Sequence, residues 1–178
     1  MGNVKLYGAT SGYTELAPPA VAPDGVLSLP SGTGTLATLA DVAAGGKVLQ
    51  VVTATTSTQV SSVSSTYVTT TLEATITPTS ATSTILVSGM QTYFCSGGAF
   101  GQIKVRIMRG LTELEEWLTF AYFRPDSGSN LPILWSDSPA TTSATTYKTE
   151  FARHSGTGTI YTQLGTPSSQ IVLMEVAA

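Results

Sequence analysis

Residues 72–94 read LEATITPTSATSTILVSGMQTYF. Leu72, Ala74 and Ile76 share one face of an extended chain and Glu73 and Thr75 the other, the period-two alternation of a half-buried β-strand. Residues 78–83 collect Pro, Ser and Thr, a turn composition. Residues 84–94 then resume as a second strand rich in β-branched and aromatic side chains. Strand, tight turn and strand make an antiparallel pair, and the chain on either side continues in the same manner.

Towards the N-terminus the alternation begins at Lys47, over residues 47–55. Towards the C-terminus, residues 102–109 place Ile103, Val105 and Ile107 opposite Lys104, Arg106 and Met108, and Gly110 ends the run. Residues 111–123 are ambiguous. Glu113, Glu115 and Glu116 favour helix, whereas Trp117, Phe120, Tyr122 and Phe123 favour strand. Gly110 before them, Pro125 after them and the β setting decide for strand. Further strands are predicted over 131–135, 145–153, 158–163 and 169–176. Eight or nine strands over roughly 130 residues is the spacing of a sandwich or jelly roll. The fold class is therefore all-β, an antiparallel jelly-roll/β-sandwich of about eight strands over residues 47–178.

Residues 1–46 behave differently. Short apolar pieces at 4–7, 25–29 and 36–39 alternate with Pro18-Pro19, Pro23-Asp24-Gly25, Pro30-Ser31-Gly32 and Gly45-Gly46. Each breaker removes a donor or admits positive φ, so no long helix or central strand can form. The reading is an extended N-terminal arm with short β pieces and a weak helical turn over 36–44. Its apolar residues Leu6, Tyr7, Val26, Leu27, Leu29, Leu36 and Leu39 want burial, which makes them the candidate attachment residues.

Charged residues are 11% of the chain, the net charge is −3 and the pI is near 5.0. Binding nucleic acid takes a basic stripe that displaces counterions, and eight scattered basic residues do not form one. No apolar run reaches the ~20 residues of a membrane span. The single Cys95 excludes an internal disulfide and a CxxC metal site, and the chain reads as one made in a reducing cytoplasm.

Chemistry needs paired groups. His154 is the only histidine, at a strand end, and with Asp137 and a serine it would make a triad lacking the GxSxG elbow. Glu113, Glu115 and Glu116 have no second acidic cluster or histidine to complete a metal or acid–base site, and read as a solvated rim. Gly32 and Gly34 lack the Lys of a Walker loop and the third Gly of a dinucleotide turn. Trp117, Phe120, Tyr122 and Trp135 concentrate aromatics mid-body, where core or subunit interface is the default use. The reading is no catalytic site, no cofactor and no metal.

Two stretches carry a resemblance. The arm holds KLYGATSGYTELAPPAVAPDGVLSLPSGTGTLA (5–37), and the body holds TLEATITPTSATSTILV (71–87), SDSPATTSATTYK (136–148) and IVLME (171–175). These segments resemble virion proteins of tailed phages, namely tail fibres, head fibres and capsid decoration proteins. The resemblance covers about half the chain. It implies a homotrimer of jelly rolls at the virion surface, fastened by the arm to the major capsid protein or to tail proteins. A decoration protein is the first expectation. A short tail fibre, with the loop 123–130 touching a host glycan, is the second.

Overall fold

The computed structural model describes Val4–Tyr7, Tyr13–Leu16 and residues 47–98, 101–118, 126–165 and 167–178. The chain divides into two units, Met1–Thr38 and Leu39–Ala178. In the first, β1 (Val4–Tyr7) and β2 (Tyr13–Leu16) form an antiparallel pair running from Val4↔Leu16 to Tyr7↔Tyr13. β1 is a β piece expected from the sequence. Its partner was not, because Thr14 and Glu15 leave no apolar run there. The expected β pieces at 25–29 and 36–39, the helical turn over 36–44, and Val26, Leu27, Leu29, Leu36 and Leu39 lie outside the described residues, as do Phe120 and Tyr122.

The second unit is all-β, and no helix occurs among its described residues. Its strands are β3 (Val48–Thr56), β4 (Val60–Ser62), β5 (Val68–Ile76), β6 (Thr84–Ser96), β7 (Gly101–Arg109), β8 (Thr112–Leu118), β9 (Ser127–Asp137), β10 (Thr145–Gly156), β11 (Thr159–Thr162) and β12 (Ser169–Val176). The ambiguous segment after Gly110 is thus strand as far as Leu118. Two antiparallel sheets form the sandwich. One has the order β5-β10-β7-β8; the other contains β3, β12, β6, β11 and β4, with β9 on the remaining edge of β6.

The pairing is that of a rolled-up ribbon. Working inward from its ends, β3 pairs β12, β5 pairs β10, β6 pairs β9 and β7 pairs β8, all antiparallel. First strand with last, second with second-to-last and so on is jelly-roll topology. Ten strands reduce to about eight because two are interrupted. Along one edge of β6, β12 occupies Thr84–Met90 and β11 occupies Tyr93–Ser96. β3 and β4 flank them in the same succession. β4 escaped the sequence reading because three residues carry no period.

Alternation sets the core. Leu72, Ala74 and Ile76 are buried as expected, with Glu73 and Thr75 exposed. Met108 departs from expectation: it was placed on the outer face with Lys104 and Arg106, yet is only 5% exposed. β7 keeps its period, running unbroken against β10 through Met108↔Lys148, and the extra residue of the β7–β8 register shift is Leu114 on β8. Met108 therefore stays on the outer face and is covered there by neighbouring side chains.

The apolar core falls into two clusters, one around Leu72, Ile85, Ile107, Tyr147 and Leu173, the other around Tyr93, Ile103, Val105, Phe151 and Ile160. Between them runs a buried polar band. Gln91 lies between Val87 and Tyr93 on β6, Thr149 between Tyr147 and Phe151 on β10, and Thr70 precedes Leu72 on β5. Thr149 Oγ1 donates to Gln91 Oε1 at 3.1 Å, and Thr70 hydrogen-bonds Thr149. Ser169 Oγ accepts from Gln91 Nε2 at 3.0 Å, from Gln163 Nε2 at 2.8 Å and from the Thr92 amide at 2.9 Å. The band sits where β11 gives way to β12, because Gln163 and Ser169 come from that break.

Candidate functional site

The two outer faces of the sandwich differ in chemistry, and the difference is written into the strands. The outer face of the sheet β5-β10-β7-β8 carries Glu73, Lys104, Arg106, Glu113, Glu116, Lys148 and Glu150, while Arg109, Glu115 and Arg153 on the same strands stand in register with inward-facing Tyr147, Ile107 and Ile103. The strands of the other sheet carry only Asp137 and Glu175, and both are engaged in structural hydrogen bonds.

On the charged face the groups satisfy one another. Arg106 donates from Nε (2.9 Å) and Nη2 (2.7 Å) to one oxygen of Glu150, and from Nη1 to Glu113 at 2.7 Å. Lys148 Nζ lies 2.9 Å from the other Glu150 oxygen. The Tyr67 ring lies under Lys104 Nζ (4.4 Å) and the Arg106 guanidinium (4.0 Å), and its hydroxyl donates to Glu116. Burial raises the Tyr67 phenol, and the Glu116 carboxylate raises it further. Burial also acts to raise the Glu150 carboxyl, but hydrogen bonds from Lys148 and Arg106 outweigh it and hold it below its usual range. Glu113 and Glu116, read from the sequence as a solvated rim, are thus members of an ion-pair and aromatic cluster.

Asp137 closes the end of β9. It accepts from Arg109 Nη1 at 2.9 Å and from the Tyr147 hydroxyl at 2.6 Å, and burial together with Asp137 raises the Tyr147 phenol far above its ordinary value. His154 is exposed at the register shift between Arg153 and Ser155, seven positions along β10 from Tyr147. At about 3.3 Å per residue that separates it from the Asp137 cluster by roughly 20 Å, so the two do not form a triad. Among the described residues no three His, Cys, Asp or Glu side chains come close enough to share a metal ion. Cys95 is buried in the second core cluster, and burial pushes its thiol up.

Trp117 and Trp135 are half-buried, one on each sheet, and meet edge to face with ring centroids 6.5 Å apart. They pack against the core where β8 and β9 bound the open side of the sandwich. Leu6 and Tyr7 lie in β1 of the first unit.

Glu175 went unsingled by the sequence reading, although it had a signal: a carboxylate in step with inward-facing Ile171 and Leu173. It is fully buried. Oε1 accepts from the amide and hydroxyl of Thr79 at 2.7 and 2.8 Å, and Oε2 from Gln50 Nε2 at 2.6 Å. Burial acts to raise its pKa, but these hydrogen bonds outweigh it and hold the carboxyl down to about 2.

The outer face of the six-stranded sheet has the opposite character. The register aligns Val51, Met174, Leu86 and Ser136 in one row, Thr53, Val172, Ser88 and Leu134 in the next, and Thr55, Gln170, Met90 and Pro132 in a third. No charge stands in any of them. Val51 is 54% exposed, Met90 50% and Leu134 66%. Pro132 is tolerated because β9 is an edge strand, where a missing N–H breaks no ladder. Gly89 sits beneath this face, where a Cβ would lie 2.3 Å from the Gln170 carbonyl oxygen, so only glycine lets β12 approach β6. A hollow of about 400 Å³ lined by Thr55, Ser88, Gly89, Met90, Ser168, Gln170 and Val172 opens in the middle of it. A second cleft, of about 240 Å³, lies between β6 and β9 beside Thr92, Phe94, Ser129, Asn130, Leu164 and Pro167.

No family model and no curated protein matches the chain. Among solved structures it is similar to that of the infectious bursal disease virus Gt strain, at 15% identity and a TM-score of 0.43, covering 95% of this chain and 47% of that one. It is also similar to the VP2 subviral particle of the same virus, at 14% identity and a TM-score of 0.40, covering 95% of this chain and 46% of that one. The chain thus spans about half the length of these proteins. A superposition this loose assigns no role to any residue. The assignment of an all-β jelly-roll sandwich rests on the strand pairing itself.

Proposed function

We propose that this chain is a non-enzymatic structural protein of a tailed-phage virion, a capsid decoration protein of the cement or head-fibre kind. The observation that carries the reading is the division of labour between the two faces. The described charged groups outside the arm are largely spent on holding the fold, while one broad sheet face is left uncharged and partly apolar, a surface for contact rather than turnover. In this reading residues 47–178 form the body of a homotrimer at the virion surface, and residues 1–46 form the arm that grips the major capsid protein. A ligand that binds only the assembled shell stabilises it by mass action, RT ln(1 + [L]/Kd).

The resemblance of the arm and of the three body segments to phage virion proteins supports the same reading. Those body segments contain the clamps described above: Thr79 lies in 71–87, Asp137 and Tyr147 in 136–148, and Glu175 in 171–175. Cryo-electron microscopy of intact particles tests it. Many copies on the capsid lattice are expected, and a few copies at the tail tip would overturn the decoration role. In a companion test, removing residues 1–46 should leave a folded oligomeric body that no longer binds particles.

One observation favours a second reading, a short tail fibre that contacts a host glycan. The cleft beside Asn130 combines the Phe94 ring with amide and hydroxyl groups, the chemistry that holds sugars. Copies at the tail tip and loss of host binding in Asn130→Ala would support it.

A further inference from the structure

We propose that the uncharged outer face of the six-stranded sheet is the contact between copies of this chain, with Leu134 of one copy seated in the hollow around Met90 of another. The inference deepens the reading of an oligomeric body by naming the surface that builds it.

Four observations lead there. The first is electrostatic. The acidic and basic groups of the charged face are nearly balanced and largely paired with one another, so a contact through it would strip water from those pairs, whereas the rows through Val51, Thr53 and Thr55 bring no charge to desolvate. The depletion of charge is also what distinguishes the core of an interface from ordinary surface. A face without charge offers no sign for a foreign partner to complement, but it is compatible with itself.

The second observation is shape. Leu134 is the most exposed large apolar side chain on this face, at 66%, and the hollow of about 400 Å³ lies on the same face, ample for an isobutyl group. A knob and a socket at separate places on one surface let each copy offer its knob to the next copy's socket, the head-to-tail contact that closes into a ring such as a trimer. The third is size. A sheet four strands wide and as long as the 13 residues of β6 measures about 19 by 43 Å, roughly 800 Å², the share each partner contributes to a standard interface. The fourth is order. The rows lie on paired strands and the hollow is floored by the tight β6–β12 approach at Gly89, so both copies present preformed surfaces and little conformational entropy is lost on contact.

Sedimentation equilibrium of the full chain at micromolar concentration tests the proposal. The unaltered chain should be an oligomer, and Leu134→Lys or Met90→Lys should reduce it to the monomer mass. Leu134→Ala, which perturbs folding least, should weaken association at least about tenfold. Thr75→Lys, on the charged face, should leave it unchanged, and circular dichroism should show each variant folded. A monomeric unaltered chain would overturn the proposal, as would an oligomer indifferent to all three substitutions on the face. If the unaltered chain is monomeric and Leu134→Lys instead abolishes particle binding, the face belongs to another virion protein. The self-contact then fails while the decoration role stands.

Discussion

The carboxylate of Glu175, near the end of β12, accepts hydrogen bonds from both the amide and the hydroxyl of Thr79, 96 positions earlier in the chain, at 2.7 and 2.8 Å. This one contact ties the turn between β5 and β6 to the closing strand. Gln50 on β3 donates to the same carboxylate and, at 2.7 Å, to the Thr77 carbonyl oxygen. Two strands and a turn therefore share one buried anion satisfied by neutral donors.

Acid should expose this clamp. Glu175 ionises at about 2 in the fold against 4.5 for an ordinary carboxyl. Above 4.5 it is ionised in both the folded and unfolded chain, and its full stabilisation is present. As pH falls from 4.5 towards 2 the unfolded chain takes up a proton that the folded carboxylate refuses, so stability is lost across that window. Denaturant midpoints between pH 6 and 2 should fall most steeply there. Glu175→Gln should flatten part of that slope, the remainder coming from groups such as Glu150. At neutral pH Glu175→Ala, which leaves the Thr79 and Gln50 donors unmet, should cost about 3 kcal/mol. A pH-independent midpoint would contradict the assignment.

Asp137 and Glu113 both pair with arginine, yet their removal should differ sharply. Asp137 has a side chain 10% exposed and holds both Arg109 and Tyr147, so Asp137→Ala should destabilise by about 3 kcal/mol. The Glu113 side chain is 45% exposed, and Glu113→Ala should cost under about 0.5 kcal/mol. Equal losses in urea denaturation would overturn the distinction.

Gly89→Ala should be disruptive despite adding a single methyl. That methyl would lie 2.3 Å from the Gln170 carbonyl oxygen, a backbone atom, so β6 and β12 must part. A loss of at least about 2 kcal/mol is expected, against little change for the neighbouring Ser88→Ala. Thermal unfolding of the two variants makes the comparison.

Ser169→Ala tests the polar band between the two core clusters. Its hydroxyl oxygen accepts from Gln91, Thr92 and Gln163, and those donors are left buried and unmet. The expected cost is about 2 kcal/mol by denaturant titration, and a loss below about 0.5 kcal/mol would mean that the band is dispensable.

Much of the fold was legible in particular residues. The parity of Leu72, Ala74 and Ile76 and of Ile103, Val105 and Ile107 gave the inward faces, and Gly110, at φ 57°, marks the β7–β8 turn because glycine accepts that angle without strain. Met108 is buried although its parity is outward, because cover from neighbouring side chains is a tertiary property that a single strand's alternation does not record. The chemistry was less legible. Glu113 and Glu116 read as isolated charges because their partners, Arg106 and Tyr67, reach them from other segments of the chain.

Local pattern was enough to fix the class of structure. Period-two alternation, β-branched content and regularly spaced breakers leave an antiparallel β-sandwich as the way to bury these side chains, since each local choice acts on its own few residues. Tertiary structure alone decided which strands share a sheet. That pairing gathers the charges on one outer face and leaves the other uncharged, and it brings Glu175 to Thr79. Those relationships depend on register between segments far apart in the chain, where a shift of one residue would turn each side chain to the opposite face.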